Sequence, residues 1–309
     1  MKTATWKNGT DCCSWHGVTC DTVSGHVIGL NLGCEGFQGI LHPNSTLFNI
    51  VHLQTLNLSN NGFSGSHFDS KFGRFMSLTH LDLSNTHVEG EIPSQISHLS
   101  KLQSLHLSGH YELVWKETTL KRLVQNATSL RELFLDYTDM SSLRPNSMDV
   151  IFNQSSLISL DLTDCELQGT IPPSFSNLTR LTFLSLAGNR LNGSIPSSFS
   201  NLQHLIHLYL SSNSLSGQIP DVFGRMTKLQ VFYLGNNKLE GQIPSSLFNL
   251  TQLVTLDCSY NKLEGPLPNK ITGFQKLTDL SLNDNLLNGT IPSSLLSLPS
   301  LEVLDLSNN

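Results

Sequence analysis

Three stretches, LTFLSLAGNRLNGSIP (Leu181–Pro196), LIHLYLSSNSLSGQIP (Leu205–Pro220) and LQVFYLGNNKLEGQIP (Leu229–Pro244), carry leucines, an asparagine, a glycine and a proline at the same relative places. LVTLDCSYNKLEGPLP follows from Leu253 and LTDLSLNDNLLNGTIP from Leu277, so the starts lie 24 residues apart; LEVLDLSNN resumes at Leu301. Earlier copies begin at Val27, Leu53, Leu78, Leu102, Leu130 and Leu157. A length of 309 residues would ordinarily suggest about two domains, but self-similarity at a fixed period takes precedence over that prior.

Within each copy, L-x-L has a period of two, which puts both leucines on one side of a short strand and the residue between them on the other. Asn189, Asn213, Asn237, Asn261 and Asn285 fall in the turn after each strand. There a side-chain amide can satisfy backbone groups of adjacent coils, each of which would cost about 1–3 kcal/mol if buried unpaired. Gly-x-Ile-Pro then combines a permissive glycine, an apolar residue and a proline without an N–H, which suits a second short extended segment at an edge. SSFSNLQH (197–204) and SSLFNLTQ (245–252) close their coils with a short helical or 3₁₀ turn. One coil cannot stand alone, because ordering its backbone costs about 1–2 kcal/mol per residue against about 1.5–3 for each buried leucine. The pattern L-x-x-L-x-L-x-x-N is the leucine-rich-repeat template. It predicts an α/β fold: a right-handed solenoid, horseshoe or superhelix, with a parallel sheet on the concave face, short 3₁₀ or helical turns on the convex face, and a need for caps at both ends.

The Leu-x-Gly-x-Ile-Pro ending at Gly90, Gly169, Gly193, Gly217, Gly241 and Gly289, with Gly-Pro-Leu-Pro at Gly265, resembles the plant extracellular subclass of these repeats. The opening Trp6…Asp11-Cys12-Cys13-Ser14-Trp15-x-Gly17-Val18-x-Cys20-Asp21 resembles the N-terminal cap of plant receptor-like proteins and receptor kinases. VWKETTLKRLVQNATSLRELFLD (Val114–Asp136) is similar to the irregular early repeat of the receptor-like branch, which has a repeat ectodomain and no kinase. The expected organisation is a partial cysteine cap over 1–26 and an array of about twelve repeats over 27–309. Longer coils are expected at 110–129 and 139–156, where Gly-x-Ile-Pro is missing, and 117–128 reads as a convex-side helix. The family also implies a C-terminal cap, a terminal cysteine pair and a membrane helix, which are not found before Asn309; the chain therefore reads as part of an ectodomain.

Cys12 and Cys13 cannot readily bond each other, since adjacent Cα atoms are about 3.8 Å apart and disulfides usually need about 4.4–6.8 Å. In the cap it resembles, Cys13 pairs with Cys20, a bond worth about 2–4 kcal/mol. There the first of the adjacent cysteines reaches back to an N-terminal helix; no cysteine precedes Cys12 here, which leaves it a free thiol unless Cys34 captures it. Cys165 stands at a ladder position and Cys258 at an inward strand position, so both read as core thiols.

Hydrophobic residues make up 38% and charged residues 14%, with a net charge of −6 and no basic run, which argues against nucleic acid. No apolar stretch approaches the roughly 20 residues of a membrane span, and MKTATWKNG lacks the apolar core of a signal peptide. No nucleophile elbow, phosphate loop or paired His-Glu motif organises the Ser and Asp residues, so the chain reads as no enzyme, without cofactor. His80 and His106 beside Asp82 invite a metal, but their columns differ and no metal site is expected; a zinc site of the cap cysteines with His16 lacks ligands.

Binding is expected on the concave face, where Phe134, Phe183, Tyr209 and Tyr233 stand with His207 and Val231, flanked by Glu132, Asp136 and Asp161 on one side and Asp257 and Asp279 on the other. Exposed aromatics at positions the fold leaves free supply interface hot spots. Glycosylation sequons occur at Asn8, Asn44, Asn57, Asn126, Asn153, Asn177, Asn192, Asn249 and Asn288, and only Asn57 points from a strand to the concave side. The resemblance implies a cell-surface receptor-like protein in defence or development that recognises a peptide, protein or glycan and signals through a partner receptor kinase. The alternatives are a secreted module resembling polygalacturonase inhibitors, or a truncated product without activity.

Overall fold

A computed structural model describes residues 2–151 and 156–309, which form two compact units, Met1–Ser147 and Met148–Asn309. In the first, Val18–Cys20 pairs antiparallel with Val27–Asn31. Parallel strands Thr55–Asn57, His80–Asp82, Ser104–His106 and Glu132–Phe134 follow. Their register sets Leu30, Leu56, Leu81, Leu105 and Leu133 side by side, all buried. This is the arrangement that period-two leucines dictate once strands stack about 4.8 Å apart.

The second unit repeats the rule with seven parallel strands, from Ser159–Asp161 through Phe183–Ser185, His207–Tyr209, Val231–Tyr233, Thr255–Asp257 and Asp279–Ser281 to Val303–Asp305. The Gly-x-Ile-Pro segments build a second parallel ladder of six strands, Gln168–Thr170 to Leu286–Asn288. Its glycines, Gly169 to Gly289, lie at φ between 72° and 91°, a region closed to most side chains, which is why the sequence repeats Gly there.

The outer side is short 3₁₀ turns such as Ser197–Asn201 and Ser245–Asn249, each following a proline held extended. In most of these turns one phenylalanine reaches inward. Phe175, Phe199 and Phe223 form a spine with ring centroids 5.9 and 6.5 Å apart. In the first unit the long coil carries an α-helix, Glu117–Asn126, with Leu120, Leu123 and Val124 buried at helical spacing. Its start is tied down by Arg144, whose guanidinium donates to both Glu117 oxygens at 3.0 and 2.9 Å and holds that carboxyl at about 2. The second long coil holds a helical turn, Met148–Ile151, before the described residues break off.

Asparagine side chains join the coils of the second unit. Asn213 donates through Nδ2 to the carbonyls of Leu186 at 2.9 Å and Leu210 at 3.3 Å and accepts from the Leu191 N–H at 3.0 Å. Asn189, Asn237, Asn261 and Asn285 repeat this. The residue before each is left-handed, as at Ser212, Asn236, Tyr260 and Asp284. Cys34, at φ 61°, occupies the same turn position ahead of Glu35, so the geometry assigns it to the turn, and it is a free thiol.

In the first unit, only Asn61 among the described residues keeps the ladder amide; in its place Thr86 and Thr138 donate to the carbonyl three residues back and His110 meets a carbonyl of the preceding coil. His110 is buried, its Nε2 2.7 Å from the Leu83 carbonyl oxygen, while Nδ1 has no partner among the described residues. Burial pushes the imidazole pKa below its ordinary 6.5, opposed by that carbonyl. A depressed folded value means the unfolded chain takes up the proton first. Stability from neutral His110 is therefore complete above about 6.5 and is lost as pH falls through the lower folded value. The Tm of His110→Asn is expected to fall less than that of the parent between pH 7 and pH 5 in a scanning-calorimetry series; parallel curves would refute this.

Candidate ligand-binding face

The site is built from the strand positions that alternate with the inward leucines. Register sets Asp161, Ser185, Tyr209, Tyr233 and Asp257 in one column, each directly beside the next. Beside it runs Ser159, Phe183, His207, Val231 and Thr255. The flanking strand residues are half-buried, apart from the buried Ser185, while each central residue is buried, so the face stands apart from the core.

The rings touch one another. Tyr209 and Tyr233 meet edge to face at 5.2 Å and 88°, Phe183 lies 5.6 Å from Tyr209, and His207 lies 6.0 Å from Phe183. Burial, the Tyr233 hydroxyl and the Asp161 charge push the Tyr209 phenol above its ordinary 10. Burial pushes the His207 imidazole below 6.5. The patch is therefore uncharged at neutral pH and bounded by carboxylates.

Those carboxylates have a local task as well. Asp161 Oδ1 accepts from the Thr163 N–H at 3.0 Å and hydroxyl at 2.6 Å, and Asp257 Oδ1 accepts from the Ser259 N–H at 2.9 Å and hydroxyl at 2.6 Å. Asp82, Asn57 and Asp305 bond the N–H two residues on in the same way. The repeat thus uses this acid to shape its turn; one oxygen of each is committed while the charge remains. Asp279 accepts from the Thr278 hydroxyl at 2.5 Å.

Phe134 belongs to the first unit, where its ring lies 4.5 Å from His106. His106 Nε2 is 3.4 Å from Glu132, Glu132 accepts from the Ser104 hydroxyl at 2.9 Å, and Ser108 donates to Asp136. His80 instead contacts the Thr79 hydroxyl at 2.9 Å. The only convergent trio of metal-ligand atoms among the described residues is Cys12, Cys13 and Cys20, within 4.8 Å. Cys13 and Cys20 are bonded to each other, with Cα atoms 5.5 Å apart, and Cys12 is free. Cys165 and Cys258 are buried and not disulfide-bonded, Cys165 Sγ lies 3.4 Å from the Thr163 carbonyl oxygen, and burial pushes Cys258 far up.

Asn8, Asn44, Asn126, Asn177, Asn192, Asn249 and Asn288 are exposed; Asn57 is half-buried and Asn153 lies outside the described residues. Sequence reasoning missed two features. Ser185, buried between Asp161 and Tyr209, shares a 2.6 Å hydrogen bond with Thr163; strand register alone could have placed it. An apolar cavity of about 410 Å³ in the first unit is lined by Trp6, Trp15, Leu30, Phe37, Leu58 and Cys12, among others; it had no sequence signal.

The leucine-rich-repeat N-terminal domain family matches residues 2–21, and leucine-rich-repeat families match 52–72, 77–99, 156–178, 190–239 and 252–274. The chain is 40% identical over 183 residues to the receptor-like protein Cf-9 homolog of Solanum lycopersicum, covering 59% of this chain and 21% of that one. It is 40% identical over 179 residues to receptor-like protein 6 of Arabidopsis thaliana, covering 56% and 18%. It thus spans about a fifth of the length of those relatives. The Arabidopsis receptor kinase HAESA, solved with the peptide hormone IDA and the co-receptor SERK1, superposes with a TM-score of 0.81 at 32% identity, over 100% of this chain and 55% of that one.

Proposed function

Because the chain is a plant leucine-rich-repeat protein with a leucine-rich-repeat N-terminal cap, similar to receptor-like proteins, we propose that it is an extracellular recognition module. It belongs to a kinase-less cell-surface receptor that binds a peptide, protein or glycan on the sheet face of its second unit. The observation that carries this is the in-register column of Tyr209 and Tyr233 with Phe183 beside it. Strand packing requires only the inward leucines; three large rings on the opposite face have no task in closing a coil. In the full-length protein the chain sits on the outer side of the plasma membrane, and a partner receptor kinase supplies the signal. No described helix is long and apolar enough to cross a membrane.

Tyr209→Ala combined with Tyr233→Ala is expected to abolish partner binding, while thermal stability changes by no more than about 1 kcal/mol, the range of substitutions outside the core. Calorimetric titration with extracellular extract fractions, followed by the purified binding component, reads the first; a thermal melt reads the second. Equal loss of both would make the rings structural.

A further inference from the structure

We infer that the occupant of the second unit's sheet face is a basic, extended peptide that crosses the strands, with an apolar side chain over the tyrosine pair and a cationic residue toward each end. This rests on the recognition role proposed above and adds the chemistry of the ligand.

Three observations lead to it. The first is charge. The outward strand positions of this unit include Asp161, Asp257, Asp279 and Asp305 and, among the described residues, neither Lys nor Arg. A face of one sign attracts the other and penalises its own, so an acidic ligand is disfavoured here. The turn hydrogen bonds of Asp161 and Asp257 orient these carboxylates without neutralising them.

The second is spacing. Asp161 and Asp257 bracket the tyrosine pair in one column, which runs on through Ser281 to Asp305, and are separated by four strand steps, with Ser185, Tyr209 and Tyr233 between. At about 4.8 Å per step the column spans about 19 Å. An extended chain rises about 3.3 Å per residue, so two cationic side chains about six residues apart would meet the two carboxylates.

The third is ring geometry. A sugar stacks best on flat faces that lie side by side, but Tyr209 and Tyr233 stand at 88° and Phe183 is tilted 46° from Tyr209. Edge-to-face rings leave a notch for one compact apolar side chain, such as leucine or proline, rather than a platform for a pyranose. The same rings supply cation–π attraction to a lysine or arginine beside the notch.

The test is selection from a display library of random dodecapeptides on the intact chain, with counter-selection on Tyr209→Ala/Tyr233→Ala. The expected result is enrichment of sequences with two Lys or Arg residues about six apart around an apolar residue. Their affinity should fall roughly tenfold in Asp161→Asn or Asp257→Asn and should weaken with added NaCl. A glycan array of plant cell-wall oligosaccharides is run in parallel on the same proteins. Neutral or acidic peptides that depend on the tyrosines would overturn the charge rule while leaving the face as the binding site. Tyrosine-dependent oligosaccharide binding without peptide enrichment would replace the peptide with a glycan. Binders indifferent to the tyrosine substitutions, or no enrichment on either library, would remove this inference and, in the first case, the proposed face with it.

Discussion

Phe199→Ala is expected to destabilise the second unit by about 3–5 kcal/mol, the usual cost of emptying a buried phenylalanine site. Phe199 is fully buried, with Phe175 at 5.9 Å on one side and Phe223 at 6.5 Å on the other, so the hole opens in the middle of the spine. The 3₁₀ turn that carries it is held by the Phe199 N–H to the Pro196 carbonyl at 3.1 Å and cannot follow the lost ring inward without breaking that bond. Stability in a repeat array is a sum of coil and neighbour terms, so the loss should be concentrated locally. Hydrogen exchange should accelerate most in Phe183–Ser185 and His207–Tyr209, and a urea transition should shift to lower midpoint. A loss below about 1 kcal/mol would mean that the coils collapse onto the site. Phe199→Leu, which keeps most of the volume, should cost markedly less.

Asn189→Ala is expected to cost about 3 kcal/mol through a different mechanism. Its Nδ2 donates to the carbonyls of Leu162 at 2.7 Å, Leu186 at 3.0 Å and Ala187 at 3.0 Å, and its Oδ1 accepts from the N–H groups of Cys165 at 3.1 Å and Leu167 at 2.9 Å. Alanine orphans several backbone groups at about 1–3 kcal/mol each, with water recovering part of that. The diagnostic is amide exchange of Cys165 and Leu167, which should lose protection. Asn192→Ala, at an exposed position in the same repeat, serves as control and should change nothing. If Asn189→Asp retained full stability, donation to the carbonyls could not be the source of the effect, because a carboxylate only accepts.

Much of this architecture was legible from spacing alone. Leucines two apart within a strand and 24 apart along the chain admit one placement, since a one-residue slip would turn every leucine to water. The early coils were less legible because their ladder position holds Thr86, His110 and Thr138. Thr86 and Thr138 bond a carbonyl of their own coil and His110 one of the preceding coil, and no single residue type marks the place. Cys34 illustrates the same limit: its left-handed φ explains it, but cysteine is not a residue from which that conformation is inferred.

The recognition face divides along the same line. The sequence by itself determined that rings at 183, 209 and 233 and acids at 161 and 257 point away from the core, because alternation along a strand is a local property. Only the tertiary structure decided that Tyr209 and Tyr233 meet at a right angle and that Phe134 packs on His106. Those facts depend on which strands become neighbours and how far apart they lie. Repetition announces that coils stack, but rotamers and partners are settled by contact between residues at least a full coil apart in the chain.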